Sequence, residues 1–357
     1  MSMKKKPLSF VVVGSGWRAM FYARIARRNP EYFRLEYMLC RSQEKAERLR
    51  RELGIPTAVS EGQCEEAGPD FVVVAVSKDG IFQVTREWAV KGFPVLCETP
   101  AGMSEEELRK LWELKKGGAR IQVAEQYHRY PILMAGLDAV CRGAVGDPYA
   151  VRLSAAHDYH GASLIRRMLR IAPEPVEMRG KRYVFPVRET DSRYGAVRDG
   201  SVKERERACV TMEFASGKMA YYDFSGVQYH SFIRSRHVNV QGQDGEWNDT
   251  ILRYVGEGAA PMGEKLLYRL PGEYGSLETG ELAERARLWS PVLELDSAQD
   301  EYAIASMLLD MGDYLESGRE VYPLAEALED AYMWLLMEQA MKAPGTVVRS
   351  EAMPWRS

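Results

Sequence analysis

From residue 9 to residue 126 the chain alternates short apolar runs with helical stretches, and few architectures accept that rhythm. SFVVVG (9–14), RLEYMLC (34–40), FVVVAV (71–76), FPVLCE (93–98) and RIQVAEQ (120–126) read as strands. Helices are expected between them, at 17–28, 44–54, 82–91 and from Ser104 to about Lys116. The last opens on Ser-Glu-Glu-Glu, a capping box with Glu107 at the third position. FVVVAV is apolar without alternation, the mark of a strand covered on both faces. Buried strands in βαβαβ order argue for a parallel, doubly wound sheet, so residues 1–126 are expected to be a nucleotide-binding α/β Rossmann domain.

After residue 126 the rhythm changes. A helix at 130–142 precedes YAVRLSAAHD (149–158), a helix near 161–170, and the strands KRYVFPV, ACVTMEFA, GKMAYYDFSG and RHVNVQG, with turns at Gly217 and Asp244-Gly245. Two helices, 299–318 and 323–342, close the chain, and their Met and Leu stripes suit a core. Residues 127–357 are therefore expected to be an α+β domain on a large, open, mainly antiparallel sheet that binds substrate and joins subunits. At 357 residues the chain is long enough for two such domains. A net charge of −3 gives no reason to expect nucleic acid or an anionic membrane as partner. No apolar run approaches the length of a membrane span. Lys4 to Lys6 before an apolar run imitates a secretory signal faintly, but the run leads into a glycine loop and reads as a first strand. Five scattered cysteines without a CxxC pair suit free thiols and the cytoplasm.

GSGWRA (14–19) lies between a strand and a helix, the context a dinucleotide loop requires. Gly14 permits the tight turn, Gly16 a close approach of backbone to pyrophosphate, and Ala19 close helix packing. Ser15, Trp17 and Arg18 complete the segment facing the phosphates; the plainer alternative is a packing turn. The second strand ends in Cys40-Arg41-Ser42, where an NAD binder usually places an acid for the ribose hydroxyl. Cys40 cannot fill that role. Arg41 and Ser42, with Lys45 near, could hold a 2′-phosphate, so NADP is favoured over NAD unless Arg41 is only a solvated charge. Ligands of such sheets bind outside the carboxyl ends of the strands, which brings Val76, Ser77, Glu98 and Thr99 to the cofactor.

The segments VVVGSGWRA, EKAERL, FVVVAVS, GFPVLCETP, GAVGDPYAVRL and HGASLIRRML together resemble the glucose–fructose oxidoreductase/inositol dehydrogenase (Gfo/Idh/MocA) family over nearly the whole chain. The resemblance implies an NAD(P)-dependent oxidoreductase acting on a hydroxyl or ketone of a sugar, sugar acid or cyclitol. In that family the fifth strand usually ends Glu-Lys-Pro, with the lysine near the reacting carbinol; here Thr99 takes its place. A threonine hydroxyl supplies neither positive charge nor an ordinary base. His160 matches the histidine that commonly works as acid/base, Ser163 stands where an aspartate is usual, and Gln126 matches a position beside the nicotinamide. Two other readings stay open: redox-neutral elimination, glycoside cleavage or epimerisation over a tightly held cofactor, and a non-catalytic cofactor-binding sensor.

HDYHG (157–161) concentrates chemistry at a strand-to-helix junction. Histidine titrates near neutrality and Tyr159 can relay a proton, although His157 could equally be structural. His157 and His160 have a spacing that admits a metal, but no acidic motif accompanies them, and none is expected. Tyr127, His128 and Arg129 could reach a sugar. Arg193 and Asp223, in polar stretches of the expected sheet, are further candidates for a polyhydroxylated ligand, the alternative being a solvated or subunit-facing surface.

Overall fold

The computed structural model describes residues 6–192, 194–266 and 298–356, which fall into two compact units. The first is built on six strands: β1 (Leu8–Val13), β2 (Phe33–Leu39), β3 (Thr57–Ala58), β4 (Phe71–Val74), β5 (Val95–Cys97) and β6 (Ile121–Val123). They lie in the order β3-β2-β1-β4-β5-β6, and every neighbouring pair is parallel. Helices α1 (Trp17–Arg28), α2 (Gln43–Leu53), α3 (Glu61–Glu66), α4 (Lys78–Val90) and α5 (Glu105–Lys116) make the connections. The strand order reverses between β1 and β4, which is the switch point where a doubly wound sheet opens a ligand crevice. Phe71 to Val74 have no exposure, as their unbroken apolar run requires. β3 and α3 were not expected; two paired residues and a six-residue helix carry no readable period.

Local chemistry sets the element ends. Ser42 caps α2 by accepting from the Lys45 amide at 3.3 Å, and Gly54, at φ +63°, closes it. Ser104 accepts from the Glu107 amide at 3.3 Å, while the Glu107 carboxylate reaches back one residue further than a standard box, to the Met103 amide at 2.6 Å.

The second unit carries a nine-stranded sheet. Its elements are α6 (Pro131–Cys141), which starts at the boundary, then β7 (Pro148–Ser154), α7 (Asp158–Leu169), β8 (Val176–Arg188), a ribbon of β9 (Asp191–Ser192) and β10 (Gly195–Ala196), β11 (Val202–Phe214), β12 (Met219–Phe224), β13 (His237–Gly242), β14 (Gly245–Asn248), β15 (Ile251–Val255) and β16 (Pro261–Lys265). After α8 (Ala298–Ser317) and α9 (Leu324–Lys342) comes β17 (Val348–Arg349). The sheet order is β16-β15-β14-β13-β7-β12-β11-β8-β17. Only β7 and β12 pair in parallel; the other pairs are antiparallel. One face is covered: Tyr222 packs so close to α7 that a Cβ on Gly161 would stand 2.4 Å from its ring. The opposite face shows Arg152, Tyr221, Asp223 and Tyr183, at least partly exposed.

The spatial division differs from the division expected at residue 126. The first unit runs on to residue 131 and takes back residues 298–328. The cause is the apolar face of α8, whose Ile304, Ala305, Leu308 and Met311 join Phe10, Phe21 and Ile25 in one buried cluster. Among the described residues no helix is long and apolar enough to cross a membrane.

Candidate active site

The glycine loop follows β1 directly. Gly14 stands at φ +122°, and a Cβ there would lie 2.2 Å from the Ala75 carbonyl oxygen beyond β4, so only glycine fits. Gly16 differs: a Cβ on it would meet nothing within 4 Å. It is the N-cap of α1, and no side chain caps the helix there. The start of α1 therefore fronts open space at Gly16, and a helix N-terminus with such space before it is the arrangement that binds an anion. Trp17 is half exposed, its ring edge-on to Phe21 at 4.6 Å.

Arg18 turns away from the loop toward the end of β5. Its Nε lies 3.6 Å from Glu98 Oε1, the oxygen that also accepts from the Tyr22 hydroxyl at 2.7 Å. With the Gln126 amide oriented to satisfy both its neighbours, its oxygen accepts from Arg18 Nη2 at 3.1 Å and its nitrogen donates to the Ala124 carbonyl at 2.7 Å. Burial opposes the Arg18 charge, yet Glu98, Tyr22, Tyr130 and Asp300 more than offset it and raise its pKa above the usual arginine value. Burial, reinforced by Glu98, pushes the Tyr22 phenol well up. Arg18 Nη1 is buried without an acceptor. Thr99, half buried and joined to Pro100 by a cis peptide, donates its amide to Glu98 Oε2 at 3.3 Å.

At the end of β2, Cys40 is buried; burial raises its thiol pKa against a hydrogen bond with Ser15. Arg41 is exposed and makes no ion pair among the described residues, and Ser42 is occupied as the α2 cap. Val76 and Ser77 follow β4, half buried and exposed respectively.

In the second unit, β7 runs into α7 through His157-Asp158-Tyr159-His160. Asp158 has φ +49°, a conformation that asparagine and aspartate tolerate better than most residues. Tyrosines from elsewhere hold the bend. The Tyr229 hydroxyl accepts the His157 amide at 3.0 Å and lies 2.6 Å from His157 Nδ1; the Tyr222 hydroxyl accepts the Asp158 amide at 3.0 Å. The His157 ring is half buried and stands edge-on to His160 at 4.8 Å, while Tyr159 meets His160 at 4.4 Å and Trp334 at 5.7 Å. His160 and Ser163 are buried, at 2% and 1% exposure. This is a cluster of imidazoles and phenols on a rigid strand–helix junction, able to hold or pass a proton.

The family described as "Oxidoreductase family, NAD-binding Rossmann fold", Gfo/Idh/MocA, matches residues 8–125. Residues 8–125 thus match a Gfo/Idh/MocA-type, NAD-binding oxidoreductase domain. No curated protein matches it at the sequence level. Solved structures share the fold across both units. An NAD-binding oxidoreductase from Klebsiella pneumoniae is 14% identical with a TM-score of 0.74, covering 98% of this chain and 100% of its own. An oxidoreductase from Agrobacterium radiobacter, in complex with NAD+, L-tartaric acid and magnesium, is 13% identical with a TM-score of 0.70, covering 96% of this chain and 98% of its own. A protein provisionally assigned as a myo-inositol dehydrogenase, from Sinorhizobium meliloti, is 16% identical with a TM-score of 0.64, covering 96% and 99%.

The glycine loop fits a dinucleotide: the open space at Gly16, the absence of a side-chain cap from Gly16 and the orphaned Arg18 donor are features that such a ligand satisfies. The remaining expected residues are dispersed. Tyr127 is buried, its ring tilted on Tyr130 at 4.8 Å. Its neighbours are taken up by packing in the first unit: His128 stacks on Tyr322 at 5.4 Å and Arg129 pairs with Asp310. Asp223 lies on the sheet face opposite Tyr222 and pairs with Arg207, its Oδ2 accepting from Nη2 at 2.7 Å. Arg193 lies outside the described residues. Among the described residues no three His, Cys, Asp or Glu side chains converge on a metal position. Sequence reasoning missed Tyr22 and Tyr222, and read Tyr229 only as one more polar residue that a sugar could meet. Each looks like an ordinary aromatic in an apolar run, and only a polar tip that needs a partner hints otherwise.

Proposed function

We propose that the protein is an NADP-dependent oxidoreductase, accepting NAD less well, that acts on a hydroxyl or ketone of a sugar, sugar acid or cyclitol. The His157–Tyr159–His160 cluster carries this reading, because oxidation of a carbinol needs a group to take the hydroxyl proton and reduction needs one to return it. The nicotinamide supplies or accepts the hydride. Gly14, Ser15, Gly16 and Trp17 would hold the dinucleotide phosphates, and Arg18 with Gln126 the nicotinamide side, with Val76, Ser77, Glu98 and Thr99 at neighbouring strand ends. His160 would hold the substrate oxygen's proton, with Tyr159 and His157 in support, and Ser163 is a candidate for a substrate contact. The relatives bound to tartaric acid or assigned to inositol favour a polyhydroxylated substrate. Arg41, exposed and unengaged at the end of β2, favours the 2′-phosphate, since the buried Cys40 offers a ribose hydroxyl no carboxylate.

All five cysteines are free thiols, which supports a cytoplasmic location. The stacked Tyr183 and Phe185 rings, exposed on the sheet, support a homo-oligomer formed through it. The test is to identify any nucleotide that copurifies, then to follow nicotinamide reduction with a panel of polyols, aldonic acids and cyclitols. Reduction of NADP by one of them is the expected result; binding of neither dinucleotide would overturn the reading.

A further inference from the structure

The bend that opens α7 is held by two tyrosines in different ways. Tyr222, from β12, accepts the Asp158 amide at 3.0 Å and packs its ring against α7 at Gly161. Tyr229, in the short turn after β12, touches both backbone and ring of one residue: its oxygen accepts the His157 amide at 3.0 Å and lies 2.6 Å from His157 Nδ1. Its own ring is fixed edge-on to Phe224 at 5.0 Å and to His157 at 5.6 Å. The turn is anchored beneath it by Gln228, which donates to the Ser154 and Ser235 carbonyls and accepts from the Ser225 amide at 2.8 Å. The hydroxyl is thus delivered to His157 by a braced segment.

A neutral imidazole has one donor and one acceptor nitrogen, and a hydrogen bond at one nitrogen decides the role of the other. We propose that Tyr229 is a positioning residue. By engaging Nδ1 at 2.6 Å while holding the same residue's amide, it keeps the His157 ring in one orientation and one tautomer, so the proton state of Nε2 is set by a side chain 72 positions away. Beside His160, this preset ring determines how the cluster presents a donor or an acceptor to a substrate oxygen. The inference rests on reading the cluster as a proton-handling site.

The test reads the ring itself. The chain has only five histidines, so imidazole-15N labelling gives few signals, assignable by single substitutions. In the wild type, His157 should show the well-separated Nδ1 and Nε2 shifts of one tautomer. Tyr229→Phe should draw them together as the tautomers mix, and should change the rate of His157 acylation by diethyl pyrocarbonate severalfold relative to the exposed His237. Tyr222→Phe, which removes the bond to the Asp158 amide and leaves His157 its own partner, should change neither. Unaltered His157 signals in Tyr229→Phe, or equal changes in the two variants, would overturn the inference. The underlying reading fails separately: His157→Ala and His160→Ala that both turn over normally would dismiss the cluster from catalysis whatever the NMR shows. Should Tyr229→Phe fold poorly, the wild-type signals decide alone, since mixed tautomers there would contradict the proposal.

Discussion

At the scale of the residue, neighbouring positions divide between ligand and framework. Gly14 is needed by the sheet, because its missing side chain lets β1 and the segment after β4 approach; Gly16 is needed by nothing in the protein. Gly16→Val should therefore fold with little loss and abolish nucleotide binding, as calorimetric titration beside a thermal melt would show; unchanged affinity would remove the cofactor assignment. Arg41→Ala should weaken NADP by about tenfold or more and leave NAD within about twofold, since only NADP loses a charged partner. Equal losses in competitive titrations would make Arg41 a solvated charge. His160→Ala should lower turnover by roughly a hundredfold with dinucleotide affinity retained. Glu98 shows how far a single residue can be read. Its place at a strand end was plain, but its partners, Tyr22 and Arg18, come from a helix whose pattern says only that one face is apolar.

At the scale of the element, α7 and α8 are each tied by a buried ion pair. Arg166 of α7 donates to Asp330 of α9 at 2.8 Å, with both side chains almost wholly buried. Replacing Arg166 by methionine would take the cation from a buried carboxylate, and a loss of about 3–5 kcal/mol in urea denaturation is expected; Arg166→Met with Asp330→Leu should recover much of it. Asp310 of α8 pairs with Arg129, but burial outweighs the attraction and pushes its carboxyl up to about 6. An unfolded aspartate titrates near 4, so the folded chain binds the extra proton between those values. The contribution of this group to stability is thus fully present below about pH 4 and falls as pH rises through 6, by about 2–3 kcal/mol. Subtracting melts of Asp310→Asn from those of the wild type across pH 4–7 should expose that slope; a flat difference would mean that Arg129 compensates the burial. The existence of α8 was legible from its Met and Leu stripe, whereas its attachment to the first unit was not, because a stripe does not name its partner.

At the scale of the whole molecule, the order of elements in the first unit and the long strands of the second were readable, and the likeness to solved structures over nearly the full chain agrees. Tyr183→Lys with Phe185→Lys should halve the mass seen by light scattering if the sheet joins two copies; a wild type already monomeric would dismiss that interface. Sequence alone determined the βαβ alternation, the glycine loop, the cap of α5, and the chemistry gathered at residues 157–160. These depend on short-range periodicity, turn geometry and hydrogen bonds within a few residues, all written in consecutive positions. Tertiary structure alone decided that Asp223 faces away from Tyr222, that residues 298–328 return to the first unit, and that Tyr229 meets His157. Such pairings depend on which strands neighbour each other and on which face each residue lands, and a one-residue change of register would have reversed them.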